Sequence, residues 1–311
     1  MRPLYPAIFN ADEAFSLKWA ERNENRAFFY HLLNVCKDFP SLLMGYSADT
    51  GIPELAAELG RTLIERGINV FMPSSPTPLA SFSQSVGARQ MPIGLYLSYD
   101  SRNDFYQLSA ITNHGGPIDE QDIKESKIEE SERNAVLGTT DYDLIYLNSL
   151  KGLADQYIED GIGFKTLCIP FPELEKKMQE TPELAIIFKR DEKGPVARIT
   201  NDGQGLIVTN SDGTQVSTEE MADLIINYLI RERLASGTII GPIGRTKPIN
   251  ETIEIQEIDG TLFDMNYHAA FADLLVGWWD GGIIAHQGSS CFGDGILTAI
   301  YYLEALRTIG K

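Results

Sequence analysis

Apolar residues along this chain repeat with two alternating spacings. Leu42, Leu43 and Met44 form a short apolar run that ends at Gly45. A polar turn with Asp49, Thr50 and Gly51 follows, and Pro53 stands where a first helical turn tolerates proline. Leu55, Leu59 and Leu63 then recur at every fourth position, with Ala56 and Ile64 widening the stripe. That spacing predicts a helix closed by Gly67. Residues 68–72 and 93–97 read as strands. Strand, helix and strand joined by short connections predict a crossover onto a parallel sheet.

A similar rhythm returns later. Ser217 and Glu220 have the spacing of a capping box ahead of an apolar face made by Met221, Leu224, Ile225, Tyr228 and Leu229. Gly237 ends that helix, and Thr238, Ile239 and Ile240 form a strand stopped by Gly241-Pro242. Upstream, Asn201-Asp202-Gly203 separates the apolar stretches 196–200 and 206–209, the pattern of a β-hairpin. Residues 294–306 predict an amphipathic helix with Asp294 as its cap. Between these regions, residues 119–133 are rich in Glu, Lys and Ser and read as a solvated face. Residues 142–182 supply a helix around 150–158, a strand at 166–169 and a charged helix near 172–179, too little for an independent core. The expectation is an α/β protein of two α/β/α units, 1–135 and 185–311, joined by a reduced middle segment at 136–184.

Composition narrows the function classes. The 311 residues are 43% hydrophobic, enough for more than one core. A net charge of −18 argues against nucleic acid or an anionic membrane as principal partner. No stretch approaches the roughly 20 apolar residues of a membrane span, and the N-terminus lacks an apolar signal core, so a cytoplasmic location is expected. Cys36, Cys168 and Cys291 are far apart and odd in number, which suits three buried small hydrophobes better than disulfides or zinc. His268 with nearby Asp264, and His286, are the histidines to inspect for a dyad or a metal. No His-x-x-x-His spacing supports either role, and structural roles are expected.

Several segments resemble a known family in the order that family uses. Gly45-Tyr46, the helix ending at Gly67, Ser75-Pro76-Thr77-Pro78, Gly94 ahead of the next loop and His114-Gly115-Gly116-Pro117-Ile118 resemble the first domain of the α-D-phosphohexomutases, the phosphoglucomutases and phosphomannomutases. Asp202-Gly203 with its flanks, the Met221 helix, residues 277–283 and Asp294-Gly295-Ile296-Leu297 resemble that family's third domain. The resemblance implies transfer of a phosphoryl group on a hexose through a phosphoserine. It also implies four functional elements: a serine loop, an aspartate-rich Mg²⁺ loop, a Gly-Glu-x-Ser-Gly sugar loop and a phosphate-binding fourth domain.

Compared residue by residue, these elements are altered. The family's Thr-Ala-Ser-His-Asn-Pro falls on Leu97-Ser98-Tyr99-Asp100-Ser101-Arg102-Asn103 with Ser98 on the threonine, Asp100 on the serine and Ser101 on the histidine. A slip of one residue would put Ser101 on the nucleophile. Aspartyl phosphates occur in other enzymes, so Asp100 is a candidate as well. The Mg²⁺ loop, Asp-x-Asp-x-Asp-Arg after an apolar strand, is expected after 185–188, where Lys189-Arg190-Asp191-Glu192-Lys193 offers three cations and no cluster of carboxylates. No metal or other cofactor is expected. In the sugar loop Trp278 stands on the glutamate, so stacking by Trp278 and hydroxyl recognition by Asp280 are the candidate sugar contacts. The sequence ends at Lys311 after the helix that would close a third domain, and a fourth is not expected. Two readings follow: a non-catalytic binding or assembly protein, or an active sugar-phosphate mutase with a rearranged site completed by a partner chain. The candidate partners are a sugar phosphate, another protein and a second copy of the chain.

Overall fold

The computed structural model describes residues 4–14, 18–101, 103–119, 134–154, 163–246 and 253–309. Arg102, nearly all of the charged stretch 119–133 and the second half of the helix expected around 150–158 lie outside these residues. The chain forms two compact units, Met1–Asp143 and Leu144–Lys311.

The first unit is built on a six-stranded sheet. Its strands are β1 (Ala7–Phe9), β2 (Ser41–Tyr46), β3 (Asn69–Met72), β4 (Ile93–Asp100), β5 (Phe105–Thr112) and β6 (Leu137–Thr139), in the order β1-β5-β4-β2-β3-β6. β2 is parallel to both β3 and β4, and β6 is parallel to β3. β5 returns antiparallel to β4, and β1 pairs antiparallel with β5. Among the described residues the strands are accompanied by the α-helices α1 (Ala11–Ala14), α2 (Arg26–Asp38), α3 (Ile52–Glu65) and α4 (Leu79–Ala88). The fourfold leucine stripe explains α3, because Leu55, Leu59 and Leu63 all turn into the core with Leu42, Met44 and Val70 of the sheet. Gly67, at φ +78°, reverses the chain after the helix. α4 lies so close to β4 that a Cβ on Gly94 would sit 2.4 Å from Val86 Cγ2. The hydroxyls of Ser81 and Ser85 donate to the Tyr142 carbonyl at 3.3 and 3.0 Å, which ties the chain after β6 to α4. At the far edge, Asn25 covers β1: its Oδ1 accepts from Ile8 N at 2.9 Å and its Nδ2 donates to Ile8 O at 2.7 Å.

The second unit opens with α5 (Asp143–Leu153), which begins at the unit boundary, followed by β7 (Thr166–Cys168), α6 (Pro172–Gln179) and α7 (Pro182–Ala185). β8 (Val196–Ile199) and β9 (Leu206–Thr209) form the expected hairpin, and β7 adds in parallel to β8. A second sheet has the order β11-β10-β12-β13, from β10 (Thr238–Pro242), β11 (Glu254–Ile258), β12 (Leu274–Trp279) and β13 (Ile283–His286). α8 (Thr218–Glu232), α9 (Leu262–Phe271) and α10 (Gly295–Ile309) complete it. The capping box forms: Ser217 Oγ accepts from Glu220 N at 3.2 Å, and Ser217 N donates to Glu220 Oε2 at 2.9 Å.

Two expectations are corrected here. Residues 185–188 form no strand; Ala185 ends α7 and Ile186–Phe188 is a 3₁₀ turn. Pro182 at the first helical turn starts this run, and Leu184 and Ile187 bury at helical spacing. The cysteines also differ, since Cys36 is buried but Cys168, on the outer strand of its three-stranded sheet, is exposed, and Cys291 is half-buried.

Candidate functional site

The β4–β5 register runs without a break from Ile93–Thr112 to Asp100–Phe105, so only residues 101–104 connect the two strands. So tight a turn needs its own closure, and Asp100 provides it. Its Oδ2 accepts from Asn103 Nδ2 at 2.9 Å and from Gln107 Nε2 at 3.4 Å, and its Oδ1 accepts from Asn103 N at 3.3 Å. Tyr99 donates its hydroxyl to Asp104 Oδ1 at 2.7 Å. That bond, with partial burial and the negative charges of Asp104 and Asp49, raises the tyrosine's pKa above its usual value. Ser98 sits half-buried in the ladder opposite Gln107, and Ser101 is exposed in the turn. Among the described residues no base is hydrogen-bonded to either hydroxyl. Asp49, beyond the end of β2, accepts from Ser47 Oγ at 2.7 Å.

In the second unit, the polar residues gather around the β8–β9 hairpin loop. Thr200 Oγ1 donates to Asp202 Oδ1 at 2.6 Å, Gln204 N donates to the same oxygen at 3.1 Å, and Gln204 Nε2 donates to Asp202 Oδ2 at 2.8 Å. Gly205 N closes the loop on Thr200 Oγ1 at 2.8 Å. Two further loops pack on this one. Gly295 N donates to Gly203 O at 2.8 Å, and Leu206 N donates to Gly282 O at 2.9 Å. Gly282 must be glycine: its φ is +79°, and a Cβ there would fall 1.9 Å from Leu206 O. Beside this turn Arg245 reaches Asp280 Oδ1 at 2.8 Å and Glu219 Oε2 at 3.5 Å, with its guanidinium 4.9 Å from the Trp278 ring centroid.

Behind the loops lies a buried polar row along α10. Asp294, fully buried, caps the helix by accepting from Leu297 N at 3.0 Å, and it also accepts from Tyr146 Oη and Ser289 Oγ, each at 2.6 Å. Burial raises its pKa, and these hydrogen bonds oppose the shift. Thr298 Oγ1 donates to Asp294 O at 2.7 Å, so its 2.8 Å contact with His286 Nε2 makes that nitrogen the donor. His286 Nδ1 has no partner among the described residues, and burial depresses the ring's pKa to about 3. Glu304, also fully buried, accepts from Tyr228 Oη at 2.7 Å and from Arg233 Nη2 at 3.3 Å.

No family model matches the sequence, and no curated protein sequence matches it. Solved structures do match. A Thermus thermophilus protein assigned as a phosphomannomutase superposes with a TM-score of 0.70 at 16% identity, over 92% of this chain and 75% of that one. The fold is that of the phosphohexomutases. A phosphoglucomutase/phosphomannomutase family protein from Burkholderia thailandensis gives 0.67 at 14% identity, over 97% of this chain and 76% of its own. Parafusin, a Paramecium phosphoglucomutase in its open form, gives 0.66 at 12% identity, over 100% of this chain and 72% of its own. At such identities the likeness shows a shared fold.

Against the phosphohexomutase fold, the sequence-derived candidates take definite places. Asp100 closes a turn, flanked by Ser98 in the ladder and Ser101 at the tip. Trp278 is only 2% exposed and lies beneath Arg245, so its indole has no open face for a sugar, whereas Asp280 is at the surface. Residues 189–195 follow a helical turn, and there Asp191 accepts from Lys193 N at 2.9 Å and Glu192 pairs with Arg190 at 3.1 Å. β8 is the strand nearest in sequence, and the loop after it carries Thr200, Asp202 and Gln204 at alternate positions. These residues do not fit Mg²⁺: one carboxylate remains, and three donors within the loop occupy it. The sequence reading missed Thr200, Gln204 and Arg245, and its only signal for the loop was Asp202-Gly203 between two strands. His268 and Asp264 form no dyad, since Asp264 caps α9 from Thr261 and His268 Nδ1 meets Gln256 Nε2 at 2.8 Å.

Proposed function

We propose that this chain is a phosphohexomutase-fold protein without mutase activity, acting as a binding or assembly protein. One observation carries the reading: Asp100, which the family resemblance sets on the nucleophilic serine, closes a short hairpin turn through Asn103 and Gln107. A carboxylate whose oxygens are held by Asn103 and Gln107 has little freedom to attack a phosphoryl group. The Thr200-Asp202-Gln204 loop argues in the same direction, because its single charge is spent on its own hydroxyl and amides. Phosphoryl transfer rests on positioning and electrostatic stabilisation of developing charge, and such parts act as a unit. Neither the 189–195 segment nor the 200–205 loop binds Mg²⁺ at physiological concentration in this reading, and the chain works in the cytoplasm with a sugar phosphate or a protein as partner.

The test is a coupled assay with glucose 1-phosphate and mannose 1-phosphate plus Mg²⁺, with calorimetric titration of Mg²⁺ alongside. Background turnover and no saturable heat are expected. Turnover that Asp100→Ala or Ser101→Ala abolishes would establish the active-enzyme reading instead, and Mg²⁺ binding lost in Asp202→Ala would restore the metal loop.

A further inference from the structure

We propose that β7 is the edge through which two copies of this chain pair, antiparallel and about a twofold axis, joining their three-stranded sheets into one. β7 is an outer strand of the order β7-β8-β9. Lys165 N donates to Pro195 O at 2.9 Å, on the β8 side. Main-chain groups alternate in direction along a strand, so Leu167 also turns its N–H and C=O to β8, while Thr166 and Cys168 turn theirs outward. Among the described residues no main-chain group meets those two from the outer side. Such an edge is a template for another strand. Residues 166–169 carry neither charge nor proline, two common means of keeping an exposed edge unpaired.

The edge is complementary to itself. An antiparallel pairing centred on Leu167 sets Thr166 opposite the second copy's Cys168, and each such pair exchanges two main-chain hydrogen bonds. The half-buried Leu167 side chains meet at the axis, in the non-hydrogen-bonded position where opposed side chains are closest. Lys165 falls opposite Ile169, so the ladder puts no like charges face to face.

Charge favours a second copy as the occupant. A net charge of −18 opposes self-association over most of the surface. Around β7 the sign reverses, because Lys165, Lys189, Arg190, Lys193 and Arg198 are all exposed. The fold gathers them: Asp191 N donates to Phe164 O at 3.2 Å, and Arg198 is the register partner of Cys168. The acids among them are already engaged, Asp191 with Lys193 N and Glu192 with Arg190. Two acidic chains therefore meet here with the least repulsion, each offering a cationic margin to the other. The pairing is independent of whether the chain turns over sugar phosphates.

The experiment is sedimentation equilibrium of the full chain over a concentration series. A monomer–dimer equilibrium is expected. Thr166→Pro removes an outward N–H and leaves the β8 ladder intact, so it should weaken the dimer at least about tenfold with the circular dichroism unchanged. Thr166→Cys tests the register by a route that does not depend on the proline variant folding. It sets a thiol opposite the second copy's Cys168 at about 5.5 Å between Cα atoms, within disulfide reach. Mild oxidation should give a covalent dimer whose peptide map joins positions 166 and 168. A chain that stays monomeric throughout, a dimer undiminished by a folded Thr166→Pro, or an oxidised Thr166→Cys protein without the 166–168 link would each overturn the proposal.

Discussion

The two units place several of their ionisable groups differently. In residues 1–143 the carboxylates of Asp49, Asp100 and Asp104 stand at strand ends, while the interior of α4 uses neutral serine hydroxyls to hold main-chain carbonyls. In residues 144–311 Asp294, Glu304 and His286 lie inside, none more than 1% exposed. Surface position does not make Asp100 catalytic, and burial does not make Asp294 an active-site acid. Each carboxylate's partners define its role: Asn103 makes the first a turn closure, and Leu297, Tyr146 and Ser289 make the second a helix cap.

The sharpest way to break this contrast is Arg233→Ala. It removes the partly exposed guanidinium from the buried Glu304 carboxylate, which keeps Tyr228 as a donor, and with the cost of a broken buried pair discounted for that exposure the loss is about 2–3 kcal/mol. Denaturant unfolding followed by hydrogen exchange should place that loss in residues 144–311. A loss below 1 kcal/mol would mean that Glu304 is not an interior charge.

Acid should act on the second unit next. His286 is neutral when folded, with a pKa pushed down by burial to about 3 against an ordinary value near 6.5. Because the folded pKa is the lower one, its contribution is complete above pH 6.5 and is lost as pH falls toward 3. The slope should approach about 1.4 kcal/mol per pH unit within that window. His286→Phe should flatten the profile, and an equal slope in the variant would refute the assignment.

The two loops at the candidate sites give the smallest effects. Asp202→Ala leaves the Gln204 amide and the Thr200 hydroxyl without their acceptor and should cost about 1–3 kcal/mol. Asp100→Ala, at an exposed turn, should cost about 1 kcal/mol or less. Chemical denaturation of both variants orders them, and a reversed order would show that the hairpin turn is the more tightly built loop.

Much of this architecture could be read from residue spacing. The leucine stripe of α3, the Ser217–Glu220 box and the Asp202-Gly203 turn are local signals, and each formed at its expected place. Residues 185–188 misled because four apolar residues do not distinguish a strand from a helical turn, and the Pro182 start was the deciding feature. The burial of Trp278 was not legible either, since it depends on Arg245, which arrives from a different strand end and is fixed by Asp280 and Glu219. Nor could spacing show that Asp100 closes a four-residue connection, because the strand ends depend on the β4–β5 register.

The central claim is that Asp100 and its neighbours form a turn and do not form a phosphoryl acceptor. Intact-mass measurement of the full chain after incubation with glucose 1-phosphate or mannose 1-phosphate and Mg²⁺, beside Asp100→Ala and Ser101→Ala, tests it most directly. The account predicts three unmodified masses and the same background turnover in all three proteins. A phosphorylated species in the unsubstituted chain that disappears in either variant, together with its turnover, would contradict it.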